Sequence, residues 1–157
     1  MYLPPSPDPL SDPPNSHAGW YFDLPATSER AIQNVFVRDF VLNVITTVPS
    51  DSPCGAGGDS ILMSMDACDG GRLIDPFFDI NDDGIIDMAD LVNIGSANNP
   101  IWVVPTGLKK TGIYYPPAVL SLPGGISRYY YSTSSGNIST TDQEDEEKGL
   151  FSWKEIE

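Results

Sequence analysis

Asp79-Ile80-Asn81-Asp82-Asp83-Gly84-Ile85-Ile86-Asp87-Met88-Ala89-Asp90 concentrates the side chains of this sequence best suited to chemistry. Counted from Asp79, oxygen-bearing side chains fall at positions 1, 3, 5, 9 and 12, and a glycine falls at position 6. A hard divalent cation takes about 6–8 oxygen ligands, and a short loop supplies them from alternating side chains plus one carbonyl. Asp79, Asn81 and Asp83 would give side-chain oxygens and Ile85 its backbone carbonyl. Asp87 would act directly or through water, and Asp90 would close the site. Gly84 permits the sharp turn, and Ile86 is expected to point inward and pin the loop to a core. The expected ligand is Ca2+. Without a cation these carboxylates repel one another, so the bound loop should be the better ordered one. The competing reading is an Asp-rich surface turn that holds no metal.

This is EF-hand ligand spacing with Asp in place of the closing Glu. The elements around it differ from a full EF-hand. Arg72-Leu73-Ile74 reads as a strand, Pro76 breaks it, and Phe77-Phe78 lead into the loop, so no helix comes in. One short helix, about Met88 to Ile94, is expected to lead out, with Gly95 as its stop.

The rest of the chain reads as mainly β. With 15 Pro and 14 Gly among 157 residues, short strands and many turns are expected in place of long helices. Residues 1–18 are Pro-rich and read as a linker or arm, with His17 a solvated loop residue. Residues 19–157 read as one β domain. Strands are expected at Gly19–Leu24, Ala31–Arg38, Val41–Val48, Ser60–Ala67, Arg72–Ile74, Ile101–Val104, Tyr114–Leu122 and Ser127–Ser132, with a last one near Leu150–Ile156. The two strands around Pro123-Gly124-Gly125 form a hairpin, with Tyr129 and Tyr131 on one face and Tyr130 on the other. Gly107 to Gly112 reads as a loop. Residues 133–148, ending in an acidic run, read as a flexible loop and not a second cation site. Asn137-Ile138-Ser139 is a weak glycosylation sequon.

A net charge of −14 argues against nucleic acid or anionic membranes as partners and favours cations. No apolar run approaches the roughly 20 residues of a membrane span. Met1-Tyr2-Leu3-Pro4-Pro5 has neither the basic start nor the apolar core of a signal peptide. Cys54 and Cys68 are a candidate disulfide. The strand between them would run roughly 26 Å at about 3.3 Å per residue, and a bridge needs Cα atoms within roughly 7 Å. They can therefore bond only if residues 55–59 fold back along it.

The four strands between Ala31 and Ile74 have the rhythm of a propeller blade. The segment Ile61-Leu62-Met63-Ser64-Met65-Asp66-Ala67-Cys68-Asp69-Gly70-Gly71 resembles the blade motif of quinoprotein-type repeats. The expected fold is a partial β-propeller of about two blades with the calcium loop inserted; a small sandwich complete in itself is the alternative.

Several segments, in order, resemble the C-terminal region of the PilC/PilY family of type IV pilus tip and biogenesis proteins. They are Gly19-Trp20-Tyr21-Phe22-Asp23-Leu24, Glu29-Arg30, Val48-Pro49-Ser50-Asp51-Ser52-Pro53-Cys54, Leu62-Met63, Asp66-Ala67 and Gly70-Gly71-Arg72. The Asp79–Asp90 loop with Leu91-Val92, then Tyr131-Ser132-Thr133-Ser134-Ser135-Gly136 and Ser152-Trp153-Lys154-Glu155, complete the set. The resemblance covers about residues 19–157. It implies a C-terminal β-propeller with bound calcium, exported to the cell surface or pilus tip. It also implies roles in pilus assembly, antagonism of retraction and adhesion, with minor pilins and a host or surface ligand as partners. The sequence lacks the family's N-terminal adhesin part and a signal peptide, so it reads as a fragment or short reading frame. Cys68 stands where the family usually has another residue, which leaves the disulfide pattern open.

Three functions compete. The first is a non-enzymatic calcium-binding surface module of a pilus protein. The second is a dockerin-like assembly module, for which one loop is half of the usual pair. The third is a quinoprotein-type enzyme fragment, for which one His and no visible acid–base pair give little chemistry.

Overall fold

The computed structural model describes residues 19–50 and 57–144. Its longest strands are those with the densest β-branched and apolar content. β2 (Val41–Pro49) and β3 (Gly58–Asp66) pair antiparallel from Val41 opposite Asp66 to Pro49 opposite Gly58. β1 (Phe36–Arg38) flanks β2, and β6 (Gly107–Thr111) flanks β3, giving a four-stranded antiparallel sheet. β7 (Ala118–Leu122), β8 (Ile126–Ser132) and β9 (Ile138–Glu144) form a second, three-stranded antiparallel sheet. β4 (Val92–Asn93) and β5 (Trp102–Val103) make a small separate hairpin.

β2 and β3 are buried on both faces, which is why they carry near-continuous buried runs in place of an in-out alternation. On one face Ile45 and Leu62 pack against Tyr114, Tyr129 and Tyr131, with Phe36 and Val119 alongside, which joins the two sheets. On the other face Val44, Met63 and Met65 pack beneath Trp20, Phe22 and Leu24. Tyr129 and Tyr131 are buried at 1% and 3% exposure while Tyr130 stands at 36%, the alternation expected of β8. Tyr114 donates from its hydroxyl to Ser139 Oγ at 3.0 Å, tying this aromatic cluster to β9.

Burial, helped by Tyr129 and Tyr114, pushes the Tyr131 hydroxyl well above the usual tyrosine value. The unfolded chain therefore releases this proton first, so the stabilisation is complete below about pH 10 and is lost as pH climbs above it. Wild-type stability, measured by urea unfolding, is expected to fall from about pH 10 upward, and Tyr131→Phe to flatten that fall.

Several expectations are corrected. Trp20, Phe22 and Leu24 do share one face, but residues 19–24 form no ladder. They lie as an extended strap held by side chains, with Trp20 Nε1 donating to the Ala67 carbonyl at 3.2 Å. No strand forms at Arg72–Ile74; the fourth strand of that sheet is β6, read from sequence as a loop. Lys109 on β6 pairs with Asp59 on β3 at 2.7 Å, so its charge marks an edge strand. The supposed flexible stretch 133–148 contains β9, whose inward Thr141 and Gln143 are buried although polar. The expected short helix is a single 3₁₀ turn, Met88–Asp90, because the residues after Leu91 pair with β5 instead. The fold of the described residues is mainly β, as expected; its sheets pack through the tyrosine cluster and are not closed, so they do not by themselves define propeller blades. Residues 1–18, Cys54, and the final strand expected near Leu150–Ile156 lie outside the described residues. Cys68 is exposed and, among the described residues, its thiol is free. Among the described residues no helix is long and apolar enough to cross a membrane.

The turn after β3 is built around Gly70. Its φ is +69°, and a Cβ there would lie 2.4 Å from the Trp20 ring. Gly70→Ala therefore meets both a left-handed backbone and a displaced indole. A loss of about 2 kcal/mol or more, read by urea unfolding, is the expected outcome.

Candidate metal centre

The loop is carried on the free edge of β9. Phe78 bridges to Gln143, Asp79 N donates to the Asp142 carbonyl at 3.3 Å, and Glu144 N donates to the Phe77 carbonyl at 3.1 Å. Phe77 and Phe78 are buried, edge to face at 5.5 Å, and plug the base of the loop. Strand-like backbone thus positions the first ligand candidate, where an EF-hand would use a helix.

Within the loop each candidate side chain holds backbone N–H groups. Asp79 accepts from Asp83 N at 3.2 Å on Oδ1 and from Gly84 N at 2.9 Å on Oδ2. Asn81 Oδ1 accepts from Asp83 N at 2.9 Å, and its Nδ2 donates to Asp83 Oδ2 at 3.0 Å. Asp83 Oδ1 accepts from Ile85 N at 2.8 Å, and Asp87 Oδ1 accepts from Ala89 N at 2.7 Å. Asp90 closes the loop on itself: Oδ1 accepts from Ile80 N at 2.7 Å, and Oδ2 accepts from Asp87 N at 3.0 Å. Asp87 and Asp90 form a reciprocal capping box on the 3₁₀ turn. Gly84 has φ +83° with open space where a Cβ would stand, so the demand for glycine here is conformational and not steric. Ile86 is half-buried, whereas Ile85 is exposed.

Asp90 is fully buried and Asp79 nearly so, while Asn81, Asp83 and Asp87 lie at the surface. None of these carboxylates forms an ion pair with Lys, Arg or His among the described residues. Among those residues no group of three or more His, Cys, Asp or Glu side chains is arranged to hold a metal ion. The chemistry of the donor set thus fits a hard cation in kind and order, while its oxygens are turned onto local N–H groups and do not form such a group.

The structure adds a pair that the sequence did not point to. Arg128 on β8 stands opposite Asp142 on β9 and holds it with two bonds, Nε to Oδ1 at 2.7 Å and Nη2 to Oδ2 at 2.6 Å. The Asp142 contact raises the Arg128 pKa further, so its charge is permanent. This pair and Asp79, Asp82 and Asp83 line one cleft of about 240 Å³. Asp142 consumes the guanidinium, which would otherwise compete for the loop carboxylates. Its trace in the sequence is a pair of opposite charges on neighbouring strands, and β9 lacks the apolar alternation that marks a strand.

Fold and loop together define an all-antiparallel β module carrying an EF-hand-spaced acidic loop on a strand edge. The chain is similar to the type IV pilus biogenesis factor PilY1 of Pseudomonas aeruginosa, in strains PAO1 and PAK alike. Each is 24% identical to it over 151 residues, which is 94% of this chain and 12% of the relative. The chain thus spans a small part of the curated relatives it matches. No protein-family model matches it, and no solved structure does.

Proposed function

We propose that this chain is a non-enzymatic, calcium-binding surface module of a type IV pilus biogenesis protein. Asp79, Asn81, Asp83, Asp87, Asp90 and the Ile85 carbonyl would hold one Ca2+. The observation that carries the calcium part is the burial of Asp79 and Asp90 with N–H partners and, among the described residues, no ion pair to a cationic side chain. Buried carboxylates without a countercharge are costly, and a divalent cation offsets that cost. When bound, the cation supplies charge neutralisation and a rigid loop, and no bond-making chemistry. The pilus part is supported by the distant similarity to PilY1, and it carries with it export to the cell surface and minor pilins as partners. Adhesion to a host or surface ligand, and control of pilus extension and retraction by calcium, extend the same reading. In a longer parent protein the four-stranded sheet would serve as one blade of a propeller.

Isothermal titration tests the site directly. The whole chain is expected to bind one Ca2+, with a dissociation constant on the order of 10⁻⁴–10⁻³ M for an extracellular module. Asp83→Ala removes a surface ligand without opening the core, and should abolish the binding heat. Equal heats from the two proteins would sink the assignment. Co-sedimentation with purified type IV pili tests the pilus part independently of the ion.

A further inference from the structure

A second cleft, of about 400 Å³, lies where the β1–β2 turn, the turn after β3 and the segment leading to Phe77 meet the end of β9. Among the described residues, Asp39, Asp66, Asp69, Asp75 and Glu144 line it against a single base, Arg72. Asp66 and Asp69 accept backbone N–H groups of their own turn. Neither they nor Asp75 enters an ion pair among the described residues.

The other part of the wall is apolar: Phe40, Leu73, Ile74 and Phe77. Ile74 is 92% exposed and Phe40 73%, and nothing in their own turns explains presenting two such side chains to water. Phe40 and Asp39 are the two central residues of a tight hairpin turn, with φ of +62° and +49°. That turn type favours Asn-Gly or Asp-Gly, so a phenylalanine at its second position is disfavoured locally. Ala67 N donates to the Phe40 carbonyl at 2.8 Å, which fixes the tip over the cleft.

We propose that this cleft docks a basic, partly apolar segment of a partner protein. A lysine or arginine side chain matches both parts of the wall. Its aliphatic stem lies along Phe40 and Ile74, and its charged head reaches Asp69 and Asp75. The cleft has the size for a few side chains, at the lower end of ordinary ligand sites. The chain's overall negative charge attracts such a segment and repels nucleic acid and anionic lipid. A bare metal ion would use the carboxylates but leave the apolar wall unexplained. The inference stands on this cleft alone and is independent of calcium at the Asp79–Asp90 loop.

Fluorescence anisotropy of the whole chain with a fluorescein-labelled hexapeptide of alternating Lys and Leu tests it, with alternating Glu and Leu as the reference. The basic peptide is expected to bind and the acidic one not to. Phe40→Asn with Asp75→Asn should weaken binding at least tenfold; Asn accepts the left-handed backbone, so the turn is kept. A matched control, Tyr21→Ser with Asp23→Asn, removes an equally exposed aromatic and one charge elsewhere, and should change affinity less than twofold. No binding of the basic peptide, equal binding of both peptides, or equal losses in the two double variants would each overturn the proposal. Self-association abolished by Phe40→Asn with Asp75→Asn would assign the face to a second copy of the chain, and overturns it too.

Discussion

Calcium at about a hundred times its dissociation constant is expected to raise the thermal midpoint of this chain by roughly 5–10 °C, and Asp83→Ala to cancel the rise. A ligand that binds only the folded state at that excess stabilises it by about 2.7 kcal/mol. Each kcal/mol moves the midpoint of a chain this long by about 2–4 °C. Magnesium should do much less, since it is smaller, prefers strict octahedral geometry and dehydrates reluctantly. The variant separates site from background because Asp83 is exposed and, among the described residues, accepts only the Ile85 N–H and the Asn81 side-chain N–H of the same loop. A calcium shift retained in full by Asp83→Ala would place the ion elsewhere. Differential scanning calorimetry, with and without chelator, reads both.

The second large effect belongs to the seam between the sheets. Tyr129→Ala is expected to cost about 3–5 kcal/mol, the range for emptying a buried aromatic site. Tyr129 stacks on Phe36 of the four-stranded sheet and on Tyr131 of its own strand, both at 6.3 Å between ring centres. Removing it opens the layer that holds the sheets together. Tyr130→Ala, one residue along on the outer face, should cost about 1 kcal/mol. Urea denaturation curves of the two variants give the contrast, and similar losses in both would mean that β8 does not face the core as described.

What the sequence revealed follows from which signals were apolar. β2, β3 and the β7–β8 hairpin were legible because Val, Ile, Leu, Met and Tyr recur at strand spacing between turn residues. β9 was not, because its inward positions are Ser139, Thr141 and Gln143, which read as solvent-exposed by composition. Their burial is decided by Tyr114 and the sheet above them, contacts far away in sequence. β6 was missed for a related reason, since Lys109 and Lys110 look like a loop until Asp59 is known to lie alongside. The acidic loop was the easiest part to find, because its ligand order is a local property of twelve consecutive residues. Its support was hidden. Neither the anchoring of Asp79 on β9 nor the Arg128–Asp142 pair in its cleft leaves a mark in the loop itself.

The placement of β6 bears on how the chain acquires its fold. β3 ends at Asp66 and its neighbour β6 begins at Gly107, so the four-stranded sheet is completed only after residues 67–106 are gathered in. Closing so long a loop carries an entropic cost that must be met before the strand pairing repays it. The Asp79–Asp90 segment lies in the middle of that excursion. An ion that orders it would shorten the freely moving chain on either side, and so would hasten sheet completion as well as stabilise the finished product. For such a module, the ion available during refolding would govern how quickly the strands find their register.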